Sequence, residues 1–140
     1  MTKRIFILLL SVFAVLSCTV KPVGRAVSVI PQPKHIETEE GTFTIDSKTP
    51  IFVGDFSEEI LRIAGFLNEK LSKAAGFELE IREADLSNME RGIYFLDAGL
   101  PSEAYTIHIN KDIAVVDYGD GAGAFYGLQT LLQLLPEDIF

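Results

Sequence analysis

The sequence predicts an α+β fold, a two-layer sandwich in which a mixed, mostly antiparallel sheet carries two helices. Two runs with helical period, at 57–75 and 120–135, are set among short strand-like runs in the order β-β-α-β-β-β-β-α. Asn110-Lys111-Asp112, between the last two strand-like runs, reads as a hairpin turn and favours antiparallel neighbours. Cys18 is the single cysteine, so no disulfide framework assists and the fold must rest on a hydrophobic core.

The first residues read as an address rather than as part of the fold. Lys3 and Arg4 precede an apolar run from Ile5 to Leu16, and Val15-Leu16-Ser17 leads into Cys18. A dozen apolar residues suit a signal peptide and fall short of the roughly 20 that a spanning helix needs. The pattern resembles a bacterial lipobox, with Val15 where leucine is usual, and implies cleavage before Cys18 and lipid attachment to it. Residues 1–17 are therefore expected to be a lipoprotein-type signal and 18–28 a tether. The expected location is the cell envelope, on a periplasmic or outer-membrane lipoprotein held to the membrane by its lipid.

The folded part is expected over 29–136. Pro31 and Pro33 favour an extended entry. Glu39-Glu40-Gly41 turns the chain into an alternating run, Thr42 to Asp46, and a second strand is expected at Ile51 to Val53. Ser57 is a good N-cap with Glu58 and Glu59 in the first turn, and Gly76 supplies the C-cap. Between them Ile60, Leu61, Ile63, Ala64, Phe66, Leu67 and Leu71 recur at helical spacing, with Arg62, Glu69, Lys70 and Lys73 on the other side. Phe77 to Arg82 alternates, Gly92 to Leu96 is continuously apolar as a central strand should be, Tyr105 to Ile109 alternates, and Ile113 to Val116 is apolar again.

The last helix differs from the first. From Gly121 to Pro136 there is no charged residue, although the whole chain is 23% charged. On a helical wheel Phe125, Leu128, Leu132 and Leu135 form one stripe, and Gly127, Leu131 and Leu134 widen it to about half the circumference. The remaining positions are Tyr126, Gln129, Thr130 and Gln133, uncharged throughout. Leaving leucines in water forgoes roughly 1.5–3 kcal/mol each, so such a helix is expected to be clamped between two masses. Tyr126, Gln129, Thr130, Leu131, Gln133 and Leu134 are the candidate docking residues for the second of them.

A net charge of -8 without a Lys/Arg cluster argues against a nucleic-acid partner. Gly119-x-Gly121-x-x-Ala124 formally matches a dinucleotide fingerprint, but its preceding strand belongs to a hairpin and no acidic residue follows at the required distance. His35 and His108 have no nucleophile or ligand set beside them, and Asp117 and Asp120 suit turn and helix caps better than acid–base work. No catalytic residue, metal site or cofactor is predicted for this chain.

The order of motifs carries a resemblance. Val29-Ile-Pro-Gln-Pro-Lys-His-Ile36 with Gly41-Thr-Phe43, the hairpin entered by Glu103-Ala-Tyr105-Thr-Ile107, and Gly123-Ala-Phe-Tyr-Gly-Leu-Gln-Thr-Leu-Leu-Gln-Leu-Leu-Pro136 resemble the N-terminal accessory domain of bacterial family 20 glycoside hydrolases, the β-N-acetylhexosaminidases. Similar accessory domains precede other glycosidase barrels, such as those of family 84. The resemblance implies a small α/β domain packed on a following TIM barrel, with the last helix at the junction and residues 137–140 opening the linker. It implies that catalysis belongs to an Asp-Glu pair in that barrel, the substrate's own acetamido group serving as nucleophile. Glu137-Asp138 has the reverse order at a helix exit and is not that pair. The expectation is therefore a catalytically silent accessory part of a lipid-anchored hexosaminidase, present as a fragment or truncated product. The competing expectation is a standalone surface module that binds glycan or protein through the last helix.

Overall fold

A computed structural model of the chain describes residues 27–38 and 41–136. The signal, Cys18, most of the tether, the Glu39-Glu40 turn and residues 137–140 lie outside the described residues. Five strands, β1 (Ile51–Val53), β2 (Ile81–Glu83), β3 (Gly92–Asp97), β4 (Tyr105–Ile109) and β5 (Ile113–Tyr118), form one sheet in the order β2-β1-β3-β5-β4. Two helices, α1 (Glu58–Ala75) and α2 (Gly121–Leu134), pack on one of its faces, as the predicted sandwich requires.

The pairing directions differ from the mostly antiparallel expectation. β1 runs parallel to both β2 and β3, β3 runs parallel to β5, and the β4–β5 hairpin alone is antiparallel. The reason lies in the connections. α1 carries the chain back along the sheet between β1 and β2, and a helical crossover of that kind delivers its second strand parallel to the first. The hairpin then inserts its second strand, not its first, beside β3. Burial explains that choice: β5 hides Ala114, Val115, Val116 and Tyr118, whereas β4 alternates between half-buried and exposed and suits an edge.

Two predicted strands change status. The run from Thr42 to Asp46 is extended but pairs with no strand. Phe43 and Ile45 still pack on the core, and the Arg91 guanidinium takes the place of a ladder by donating to the Thr44 carbonyl and, at 3.1 Å, to Thr49 Oγ1. Only Ile81–Glu83 of the run from Phe77 joins the sheet. Before it, the Asn68 carboxamide claims the backbone of Leu79: the Leu79 N–H donates to Asn68 Oδ1 at 2.6 Å, and Asn68 Nδ2 donates to the Leu79 carbonyl at 3.0 Å.

The core lies between helices and sheet. Ile51, Val53, Ile93, Phe95, Ala114 and Val116 meet Ile60, Ile63, Leu67 and Leu71 of α1 and Ala124, Leu128 and Leu131 of α2. Across the sheet a smaller cluster has Phe52 stacked on Tyr94 at 4.6 Å with Val115 beside them, and the Tyr94 hydroxyl donates to the Glu90 carbonyl at 2.7 Å. The caps of α1 follow the sequence signals: Ser57 Oγ accepts from the Ile60 N–H, and Gly76 takes the left-handed conformation at φ 77.

Candidate functional site

α2 is positioned by the turn that precedes it and by the strand beneath it. Asp120 is its N-cap, accepting from the Gly123 N–H at 2.9 Å while also receiving the Ser102 hydroxyl at 2.6 Å and the Glu103 N–H at 3.1 Å. These donors, the Ser102 hydroxyl first, hold its carboxyl below the usual carboxylate range. The same contacts hold Glu103 at a left-handed φ of 64. Asp120 is thus consumed in building the helix entrance, and Asp117 on β5 accepts from Thr106 Oγ1 at 3.5 Å. The two carboxylates are thus engaged with separate donors, Asp120 at the helix entrance and Asp117 across the hairpin. His35 contacts Glu37 at 3.0 Å on the surface, and His108 lies exposed on the sheet face away from the helices.

The glycine tract is a packing device. Side-chain atoms on Gly119 would overlap the carbonyls of Leu100 and Pro101, and on Gly123 that of Ala104. A Cβ on Gly121 would overlap the Glu59 carboxylate of α1. Among the described residues no group of three His, Cys, Asp or Glu side chains is placed to hold a metal ion.

The structure divides the candidate docking residues. Thr130 and Leu131 belong to the domain itself: Leu131 is 3% exposed within the core, and Thr130 is buried with its hydroxyl 2.7 Å from that of Tyr105. Gln133 is exposed but engaged with the backbone of Ile30. Tyr126, Gln129 and Gln133 share the outward stripe of α2, one and two turns apart, with Tyr126 exposed and Gln129 half-buried. Leu134 is exposed at the helix end. Phe125, counted by the wheel with the inner stripe, stands exposed at its margin, 6.3 Å from Phe66 of α1 and 6.5 Å from Tyr126. The result is an aromatic row crossing from α1 to α2 beside a carboxamide seam. Phe66 and Ile30 are members that the sequence did not mark, because one looks like ordinary core and the other like entry loop.

A shallow concavity elsewhere, lined by Ser47, Lys48, Thr49, Pro50, Glu80 and Arg82, lies by the amino ends of β1 and β2, remote from this row.

With two helices over a five-stranded mixed sheet and a last helix of this kind, residues 26–139 match glycosyl hydrolase family 20, domain 2. The chain belongs to that family. Over 117 residues it is 32% identical to a Beta-hexosaminidase of Porphyromonas gingivalis (strain ATCC BAA-308 / W83), a match that takes in 82% of this chain and 15% of the relative. The GH20 beta-N-acetylhexosaminidase of Streptomyces coelicolor A3(2) superposes with a TM-score of 0.69 at 31% identity, covering 79% of this chain and 22% of that one. The beta-N-acetylhexosaminidase of Bacteroides fragilis NCTC 9343 superposes at 0.58 with 25% identity, covering 75% and 20%. The family 20 domain thus spans about a fifth or less of the relatives it matches.

Proposed function

We propose that this family 20 domain is a non-catalytic accessory unit of a β-N-acetylhexosaminidase that removes terminal N-acetylhexosamine residues. It would steady a catalytic TIM barrel in the same polypeptide and be held at the cell envelope by lipid on Cys18. The observation that carries the reading is the uncharged outward face of α2, where Phe125 and Tyr126 are about two-fifths exposed and no charged residue occurs from Gly121 to Leu134. A face of that kind is ordinarily covered.

Purified residues 1–140 should not hydrolyse a chromogenic N-acetylglucosaminide. Turnover that disappears when a residue of this chain is changed would overturn the assignment. For the anchor, Cys18→Ser should move the protein from the membrane fraction to the soluble one and abolish incorporation of labelled palmitate. An unchanged distribution would remove lipidation from the proposal and leave the domain assignment standing.

A further inference from the structure

Ile30 has the largest exposure among the big apolar side chains of the described residues, at 80%, yet its backbone is fixed at both ends. Its N–H donates to Gln133 Oε1 at 2.8 Å, and its carbonyl accepts from Gln133 Nε2 at 3.0 Å. A carboxamide that closes both bonds on one residue sets its orientation as well as its place. Gln133 also leans on its own helix, with Nε2 3.4 Å from the Gln129 carbonyl.

Such a clamp contributes little to the domain's own core, because the side chain it positions contacts mainly solvent. It extends the row instead. Gln133 lies on the stripe of Tyr126 and Gln129, so the segment it holds sits over the carboxyl end of that stripe, where α2 runs out at Leu134. Phe66, Phe125 and Tyr126 cross from α1 to α2, and Ile30 is held two turns further along α2 by Gln133.

We propose that Ile30 is a contact of the docking seat and that Gln133 is a positioning residue that presents it. The occupant is the polypeptide that follows Phe140 in the parent enzyme. This rests on the accessory-domain reading above and on two further points. The relatives extend several-fold beyond the matched region, and the seat ends where α2 hands the chain onward. Charge is absent along the α2 part of the seat, with the Lys70 ammonium 5.2 Å from the Phe66 ring at its α1 margin, and this selects a neighbour packed tightly on α2 over a solvated one.

The test is thiol accessibility in the full gene product, including all sequence after Phe140, in a Cys18→Ser background. Single cysteines replace Ile30, Tyr126 or His108, the last lying on the sheet face away from the helices. Alkylation of the Ile30→Cys and Tyr126→Cys thiols is expected to be roughly tenfold slower than that of His108→Cys, the behaviour of a surface withdrawn from water. Adding Gln133→Ala is expected to restore reactivity at Ile30→Cys and leave Tyr126→Cys protected. Protection at Tyr126→Cys with free reaction at Ile30→Cys overturns the role of Ile30 alone. Protection at Ile30→Cys that survives Gln133→Ala overturns the role of Gln133. Free reaction at Tyr126→Cys overturns the docking reading on which both depend.

Discussion

Gly127 lies flat on Val116: a Cβ added to this helical glycine would overlap the Val116 Cγ1, so α2 rides directly on the strand beside β3. The ring of Tyr105 closes the same notch from β4. That close approach sets the height of α2 above the sheet, and with it how far Tyr126 and Phe125 stand out.

Gly127→Ala is expected to destabilise the domain. Helix propensity favours alanine by about 1 kcal/mol, but overpacking costs about 1–3 kcal/mol, and Val116 on a central strand has little room to yield. Gly65 in α1 has open space around its would-be Cβ, so Gly65→Ala should stabilise by about 0.5–1 kcal/mol. Urea denaturation of the two variants checks the opposite signs.

Leu131 and Tyr126 should respond in opposite ways to truncation or charge. Leu131→Ala is expected to cost about 2–5 kcal/mol as a core deletion, and Leu131→Glu to abolish cooperative unfolding altogether. Tyr126→Glu should stay within about 0.5 kcal/mol in the domain and, on the docking reading proposed above, act only on the neighbour that covers α2. Circular dichroism separates unfolding from lost docking.

Two carboxamides perform the same clamp at different depths. Asn68 satisfies the backbone of Leu79, which is 3% exposed, so Asn68→Ala strands a buried N–H and C=O and should cost about 2–3 kcal/mol. Gln133 satisfies the backbone of Ile30 where water has ready access, so Gln133→Ala should leave the unfolding free energy nearly unchanged. Equal losses in the two variants would show that the Ile30 segment is structural.

The Tyr118 hydroxyl is buried and has no hydrogen-bond partner among the described residues. Burial first, then the carboxylates of Asp55, Asp97 and Glu59, push its pKa up to about 12. Below pH 10 the phenol is neutral in both folded and unfolded chains, and its state does not affect stability. Between about pH 10 and 12 the unfolded chain ionises while the folded one does not, so stability falls as pH rises. Tyr118→Phe should remove that alkaline loss and, by deleting an unsatisfied group, stabilise the domain by about 1 kcal/mol near neutrality. Melting curves of both proteins from pH 8 to 12 test this.

The features legible in the sequence were those set by local chemistry. Ser57 and Gly76 bound α1, and Asn110 makes the hairpin turn by accepting from the Asp112 and Ile113 N–H groups. Strand direction was not legible, because β1 and β2 are short and their parallel course depends on where α1 returns the chain. The run at Thr42 to Asp46 alternates as a strand does, yet its partner is the Arg91 side chain, 45 and 47 positions from Asp46 and Thr44. On α2 the lack of charge was legible in the sequence, and the structure leaves Phe125 and Tyr126 of that helix exposed. A wheel cannot separate Leu131 from Leu134: which leucine is buried depends on the neighbouring strands and on where the helix ends.

The place of β5 in the sheet bears on how this domain acquires its structure in time. β5 is the last strand made, yet it fills the position between β3 and β4, and α2 follows it. A growing chain that has delivered β1, α1, β2 and β3 still has an unpaired β3 edge, and Ile93 and Phe95 lack the cover of Ala124, Leu128 and Leu131. Contacts of such sequence separation form slowly. The domain is therefore expected to close its core late, once residues near 131 are free to join.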